Sequence, residues 1–177
     1  GLGGVVAAGW FLGWSALFRA PAEELAGQTR TLSGTVSSYP TETSIGGFSL
    51  TVELEGGLTA PDLLVYGNEE WGGLVPGDSV TFEADLESSD FMYGEPTTYY
   101  TAQGIFLTAS CSGAPILVEH PVRPSPRWWP AHCARALRDS LLTAYDETAG
   151  PLAVALVTGD DSFLSDALDT SMSRTGT

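Results

Sequence analysis

Four arginines, Arg123, Arg127, Arg135 and Arg138, fall within sixteen residues around the pair Trp128-Trp129. Guanidinium groups neutralise phosphates and indole rings stack on bases, so this grouping has the chemistry of a single-strand contact. The same residues suit a lipid interface, where tryptophan rings sit at the headgroup level, or ordinary solvated charge. Arg135 and Arg138 are three apart and share a face of any helix. These four are most of the cationic side chains: the 177 residues hold 7 Lys plus Arg, all of them Arg, against 22 Asp plus Glu, for a formal net charge of −15. A field of that sign repels polyanions. It argues against a surface that coats nucleic acid as a whole and leaves the arginine cluster as the place where DNA or lipid would be met.

The remaining reactive side chains are few. Cys111 and Cys133 are expected to form a disulfide in an exported chain, closing a loop of about 22 residues worth roughly 3 kcal/mol; two buried, reduced thiols are the alternative. His120 and His132 are the only imidazoles. His132 and Cys133 are sequence neighbours about 100° apart on a helix, a poor arrangement for one tetrahedral zinc. Asp160, Asp161, Asp166 and Asp169 lack the glycine and terminal glutamate of a calcium loop and read as capping and solvated face. No nucleophile elbow or phosphate-cradling glycine loop occurs. The expectation is therefore no metal, no cofactor and no catalysis by these residues.

The elements that would position these groups follow from the pattern. Leu2 to Phe18 carries no charge and ends at Arg19. A helix needs about 20 mostly apolar residues to cross a bilayer, so residues 1–19 read as a truncated transmembrane helix, with a signal peptide or a buried helix as rivals. Residues 27–110 alternate with period two: Leu32, Gly34 and Val36 against Ser33 and Thr35, Phe48, Leu50, Val52 and Leu54 against Ser49, Thr51 and Glu53, and Val80, Phe82, Ala84 and Leu86 against Thr81, Glu83 and Asp85. Such strands are half-buried. A shorter strand is expected at Leu63 to Tyr66, a tight turn at Pro76-Gly77, one or two helical turns from Thr97 to Gln103 ended by Gly104, and a last strand from Ile105 to Ala109. The fold class is mainly β with helical flanks, a compact five-stranded barrel.

Residues 111–130 form a stiff connector with five prolines, which deny donors to any sheet or helix. Residues 131–177 read as amphipathic juxtamembrane helices. The first carries Ala134, Leu137, Leu141, Ala144 and Tyr145 at helical spacing and breaks at Gly150-Pro151. A second runs from about Leu152 to Thr158, and a third follows Asp160 to Ser162. OB barrels hold single strands on aromatics inside a basic groove. Tyr39, Tyr66, Trp71, Phe91, Tyr93, Tyr99 and Tyr100 supply aromatics, most of them expected in core or structural roles. Between Gly27 and Ser110, however, one arginine, Arg30, faces twelve Asp and Glu. Counterion release drives most non-specific affinity, so the barrel is expected to bind DNA weakly.

Several stretches resemble the ComEC family, the polytopic membrane proteins that pass single-stranded DNA inward during natural competence. They are Gly34-Thr35-Val36, the turn Leu74 to Val80, Tyr100 to Ile105, and Ala155 to Ser162 with Leu164-Ser165 and Arg174-Thr175-Gly176. The resemblance implies an extracytoplasmic OB-like barrel and the start of the competence region in a cell-membrane channel. Partners so implied are single-stranded DNA, membrane lipid, the rest of the channel protein and delivery proteins. In many relatives a separate metallo-β-lactamase-like nuclease domain follows. An exported, membrane-anchored module for protein or glycan, with no DNA role, is the alternative.

Overall fold

The computed structural model describes residues 10, 13, 19–44, 46–55, 62–92, 95–123, 125–146 and 149–158. It divides into two compact units, Gly1–Ser125 and Pro126–Thr177. The first unit carries helix α1 (Ala20–Leu25) and strands β1 (Thr29–Val36), β2 (Thr41–Glu42), β3 (Phe48–Leu54), β4 (Asp62–Gly67), β5 (Ser79–Ser88), β6 (Phe91–Met92), β7 (Glu95–Pro96), β8 (Ile105–Ser110) and β9 (Leu117–Glu119). Alternation does what it predicts: Leu50, Val52, Leu63, Val65, Phe82, Ala84, Leu86, Leu107 and Ala109 are buried, while Thr51, Glu83, Asp85 and Glu87 stay outside.

Five of these strands close a barrel. β1 pairs with β3, β3 with β4, and β4 runs parallel to β8; β8 pairs with β5, and β5 returns to β1. Closure removes the exposed edges that an open sheet would leave. β5 is long enough to hold β1 on one side along Ser79 to Asp85 while its other side takes β9 at Ser79 to Thr81 and β8 at Asp85 to Ser88. Trp71, on a 3-10 turn at Glu69–Trp71, fills the core edge-to-face against Phe82 with ring centroids 5.3 Å apart, and its Nε1 donates to the Gly113 carbonyl at 3.0 Å. Ala22 of α1 is buried in the same core. Arg19, just before α1, donates to Glu23 at 2.8 Å and to Asp90 at 2.6 Å, which ties the helix to the end of β5.

The turn into β5 is built around Asp78. Gly77 takes φ 103°, a conformation that favours glycine, its N–H donates to the Val36 carbonyl at 2.8 Å, and the Val36 N–H donates to the Asp78 carbonyl at 2.8 Å. The buried Asp78 carboxylate accepts the Val75 N–H at 2.9 Å through one oxygen, and its other oxygen lies 2.8 Å from His120 Nδ1. This contact seats the segment after β9 on the turn.

One sequence expectation is corrected here. Residues 111–130 are not wholly a connector, because Leu117–Glu119 adds β9 to the sheet, with Val118 opposite Val80. Pro115 and Pro121 flank the strand rather than occupy it, so no ladder donor is lost. In the second unit a 3-10 turn at Pro126–Trp128 leads into α2 (Trp129–Ala144), followed by α3 (Ala149–Thr158). The expected division into two helices is present, with α2 ending at Ala144 and α3 starting at Ala149, so that Gly150-Pro151 lies in the first turn of α3, where proline is tolerated because its N–H would be unpaired. The expected third helix after Asp160 lies outside the described residues, as does most of the expected span at 1–19. Among the described residues no helix is long and apolar enough to cross a membrane.

Gly34 is a point of close passage in the barrel, pairing with Leu54 on one side and Val80 on the other. A Cβ there would come 2.5 Å from the Glu53 carbonyl oxygen and 2.6 Å from Val52 Cγ1. Because the obstacle includes backbone, Gly34→Ala is expected to cost about 1–3 kcal/mol. The test is urea unfolding, where the midpoint should fall at unchanged slope; an unmoved midpoint would contradict the close passage of β1.

Candidate functional site

Two surfaces offer chemistry, one in each unit. On the barrel, the outward side chains of β3, β4 and β8 line up in rows. Ser49, Tyr66 and Ser110 form one row, Thr51, Leu64 and Thr108 the next, and Glu53 faces Asp62 beyond them. The 3-10 turn at Thr101–Gln103, closed by Gly104 at φ 82°, brings Tyr100 over this face. The Tyr66 and Tyr100 hydroxyls are 2.9 Å apart, and Tyr99 meets Tyr100 edge-to-face at 5.2 Å. Tyr99 is 62% exposed. Three tyrosines thus edge a face of hydroxyls and carboxylates that carries no arginine. Arg30 lies on β1 with its Nε bonded to Gln28 at 2.8 Å. A tyrosine platform without cations suits a neutral or cationic ligand better than a phosphate chain.

The aromatics expected from the sequence separate in the structure. Trp71 is wholly buried and Tyr39 half-buried. The Phe91 and Tyr93 side chains lie outside the described residues. The Tyr66–Tyr100 contact was not legible, because it joins residues 34 apart in sequence.

In the second unit, the Arg127 guanidinium lies over the Trp128 ring, 4.9 Å from its centroid. Trp129 opens α2 and is exposed. Arg135 and Arg138 do share a side of α2, and both reach the Asp139 carboxylate at 3.3 Å. Asp139 therefore offsets part of their charge. Arg123 is exposed but belongs to the end of the first unit. The structure thus joins Arg127 to Trp128 and Arg135 to Arg138, without showing one continuous basic groove made of all four arginines.

The expected disulfide is not formed: Cys111 and Cys133 are both free thiols. Cys111 follows β8 directly, is buried, and its N–H donates to the Tyr66 carbonyl at 2.8 Å. Cys133 is exposed on α2. Cys111 belongs to the barrel core of the first unit and Cys133 to α2 of the second. Burial first, and the nearby Asp85 carboxylate second, push its thiol up to about 12.

No protein-family profile matches the chain, and no curated protein matches it. Among solved structures, it is similar to a small single-stranded DNA-binding protein from Streptomyces coelicolor at 16% identity and TM-score 0.31, covering 54% of this chain and 95% of that one. It is also similar to an aspartyl tRNA synthetase from Entamoeba histolytica at 14% identity and TM-score 0.35, covering 61% of this chain and 22% of that one. The match thus spans about a fifth of the synthetase. At these identities and scores, neither likeness bears on what this chain binds.

Two outcomes follow for the thiols. Native alkylation at neutral pH should modify Cys133 alone, with both cysteines reacting after unfolding; mass spectrometry of the unreduced chain showing a bridge would refute the free-thiol assignment. The unfolded chain releases the Cys111 proton near 9.0, the ordinary value of a cysteine thiol, whereas the folded chain holds it to about 12. The stability this group contributes is therefore whole below about pH 9 and lost as pH rises through about 12. Urea unfolding across that window should show a steeper loss for the wild type than for Cys111→Ala, and equal losses would contradict it.

Proposed function

We infer that this chain is the extracytoplasmic OB-like portion of a membrane protein that takes up single-stranded DNA, with the barrel as scaffold and partner-receiving domain rather than the grip on the strand. The observation that carries this reading is where the ComEC-like stretches fall in the topology. Gly34-Thr35-Val36 sits where β1 pairs on both sides, Leu74 to Val80 makes the turn into β5, and Tyr100 to Ile105 makes the turn into β8. Each stretch supports closure of one barrel, so their joint occurrence in the sequence has a shared structural purpose.

The electrostatics set the division of labour. Weak counterion release from the acidic barrel disfavours a tight grip on a polyanion, so what strand contact the chain makes is assigned to the arginines from Arg123 to Arg138. Delivery proteins or the rest of the channel would meet the tyrosine face. The chain is assigned no catalytic role. The second reading, an exported module for protein or glycan, draws on the exposed Tyr99 beside the Tyr66–Tyr100 pair, because OB faces also take oligosaccharides.

Single-strand affinity of the full chain, measured across salt, should be weaker than about 10⁻⁴ M at physiological ionic strength and fall steeply with salt. Gln at Arg123, Arg127, Arg135 and Arg138 should remove it. Affinity in the submicromolar range that survives those substitutions and is lost in Tyr66→Ala would overturn the scaffold assignment. In a transformable host carrying the gene, excision of residues 27–110 should abolish DNA uptake. Unimpaired uptake, together with a glycan or protein ligand lost on Tyr100→Ala, would establish the second reading instead.

A further inference from the structure

An ordinary surface helix turns its charges to water and its apolar stripe inward. α2 follows this only in part: Leu141 and Leu142 are half-buried and Asp139 is exposed, but Arg135 and Arg138 are half-buried while Trp129 and Leu137 are exposed. At 100° per residue, Trp129, Cys133, Ala136, Leu137, Ser140 and Ala144 fall on one arc about 100° wide, and all six are exposed. That arc carries no charge. Arg135 and Arg138 lie on the opposite, half-buried side, and Asp139 stands off the arc where it bonds both of them. α3 extends the pattern, since none of its ten residues is charged, yet Leu156 is 71% and Val157 59% exposed. α2 and α3 pack closely, with Gly150 set against Leu142 so that an added Cβ would meet its Cα at 3.5 Å.

We propose that the uncharged outer face of α2, centred on Trp129, Cys133 and Leu137, lies in the surface of a lipid bilayer. Three observations select lipid as the occupant. Tryptophans open the helix beside an arginine stacked on an indole, the side-chain set that settles where headgroups meet hydrocarbon. Residues 126–158 hold three arginines against Asp139, Asp146 and Glu147, whereas residues 1–125 hold Arg19, Arg30 and Arg123 against fifteen acids; the helical stretch alone is not repelled by anionic headgroups. The same chain carries the uncharged run Leu2 to Phe18, which the membrane context proposed above would seat in the same bilayer. DNA is a poor occupant, because the arc offers no cation to a phosphate. The inference rests on the membrane context proposed above but on no DNA role.

Cys133 sits on the arc and reports directly on it. The full chain is mixed with phosphatidylcholine vesicles containing phosphatidylglycerol, and alkylation of Cys133 by a membrane-impermeant maleimide is timed. Because Leu2 to Phe18 would bring the chain to vesicles unaided, the control is Glu83→Cys on the exposed side of β5, in a Cys133→Ala chain. Vesicles should slow Cys133 alkylation about tenfold, equivalent to roughly 1.4 kcal/mol of protection, and leave the barrel control unchanged. Leu137→Glu, or Ser140→Glu on the same arc, should restore the rate while helicity by circular dichroism is retained. Equal Cys133 rates with and without vesicles would overturn the proposal. So would protection that needs no vesicles and grows with protein concentration, which would assign the face to a second copy, or protection by an oligonucleotide, which would assign it to DNA. Loss of DNA uptake plays no part in this readout, so the two proposals fail separately.

Discussion

Closure of the barrel through β5 is the constraint on which the rest of the first unit depends. Ten residues of one strand satisfy backbone donors and acceptors on both sides, with β1 along one edge and β8 and β9 along the other. Buried backbone groups without partners are costly, so each connection has to deliver its strand at the right register. Gly77 and Asp78 do this for β5, Gly104 for β8, and Gly34 lets β1 lie close enough to β3 for the circle to close. Once it is closed, Trp71 and Phe82 complete an apolar interior that Ala22 of α1 joins.

A second consequence of closure is what it leaves outside. With most of the leucine and valine turned inward, the outward positions of β3, β4, β5 and β8 hold mainly hydroxyls and carboxylates, with Leu64 and Tyr66 among them. The outer surface of the barrel is consequently rich in carboxylates and poor in the cations that track a nucleic-acid backbone. Cations gather instead in and just before the second unit, and there too the fold tempers them. Arg135 and Arg138 turn to Asp139, and Arg127 turns to Trp128. The side chains the chain exposes are therefore divided: hydroxyls, carboxylates and tyrosines on the barrel, tryptophan and acid-paired arginines on the helices.

Much of the barrel was legible from the residues because strand burial has a period of two. Any stretch such as Phe48 to Leu54 declares its inner and outer faces without knowledge of its neighbours. The Pro-Gly-Asp turn was equally legible, since its φ requirements are local. β9 was not, because three residues among prolines give no periodic signal, and Leu117–Glu119 is a strand only because β5 offers a vacant edge there. The boundary before α3 was legible to within a few residues, because Gly150-Pro151 stops a helix from running through it and is tolerated in a first turn.

The candidate sites divide along the same line. Composition alone determined that the chain is strongly acidic, that its cations cluster between Arg123 and Arg138, and that its strands belong to a half-buried sheet, because each of these depends on residue type or short-range spacing. Tertiary structure alone decided that Cys111 packs in the interior instead of bridging to Cys133, that Tyr66 meets Tyr100, that His120 seats on Asp78, and that α2 turns its uncharged side outward. Those outcomes depend on which distant segments close the barrel and which helix face another element covers. Long-range packing sets them, and no local pattern encodes it.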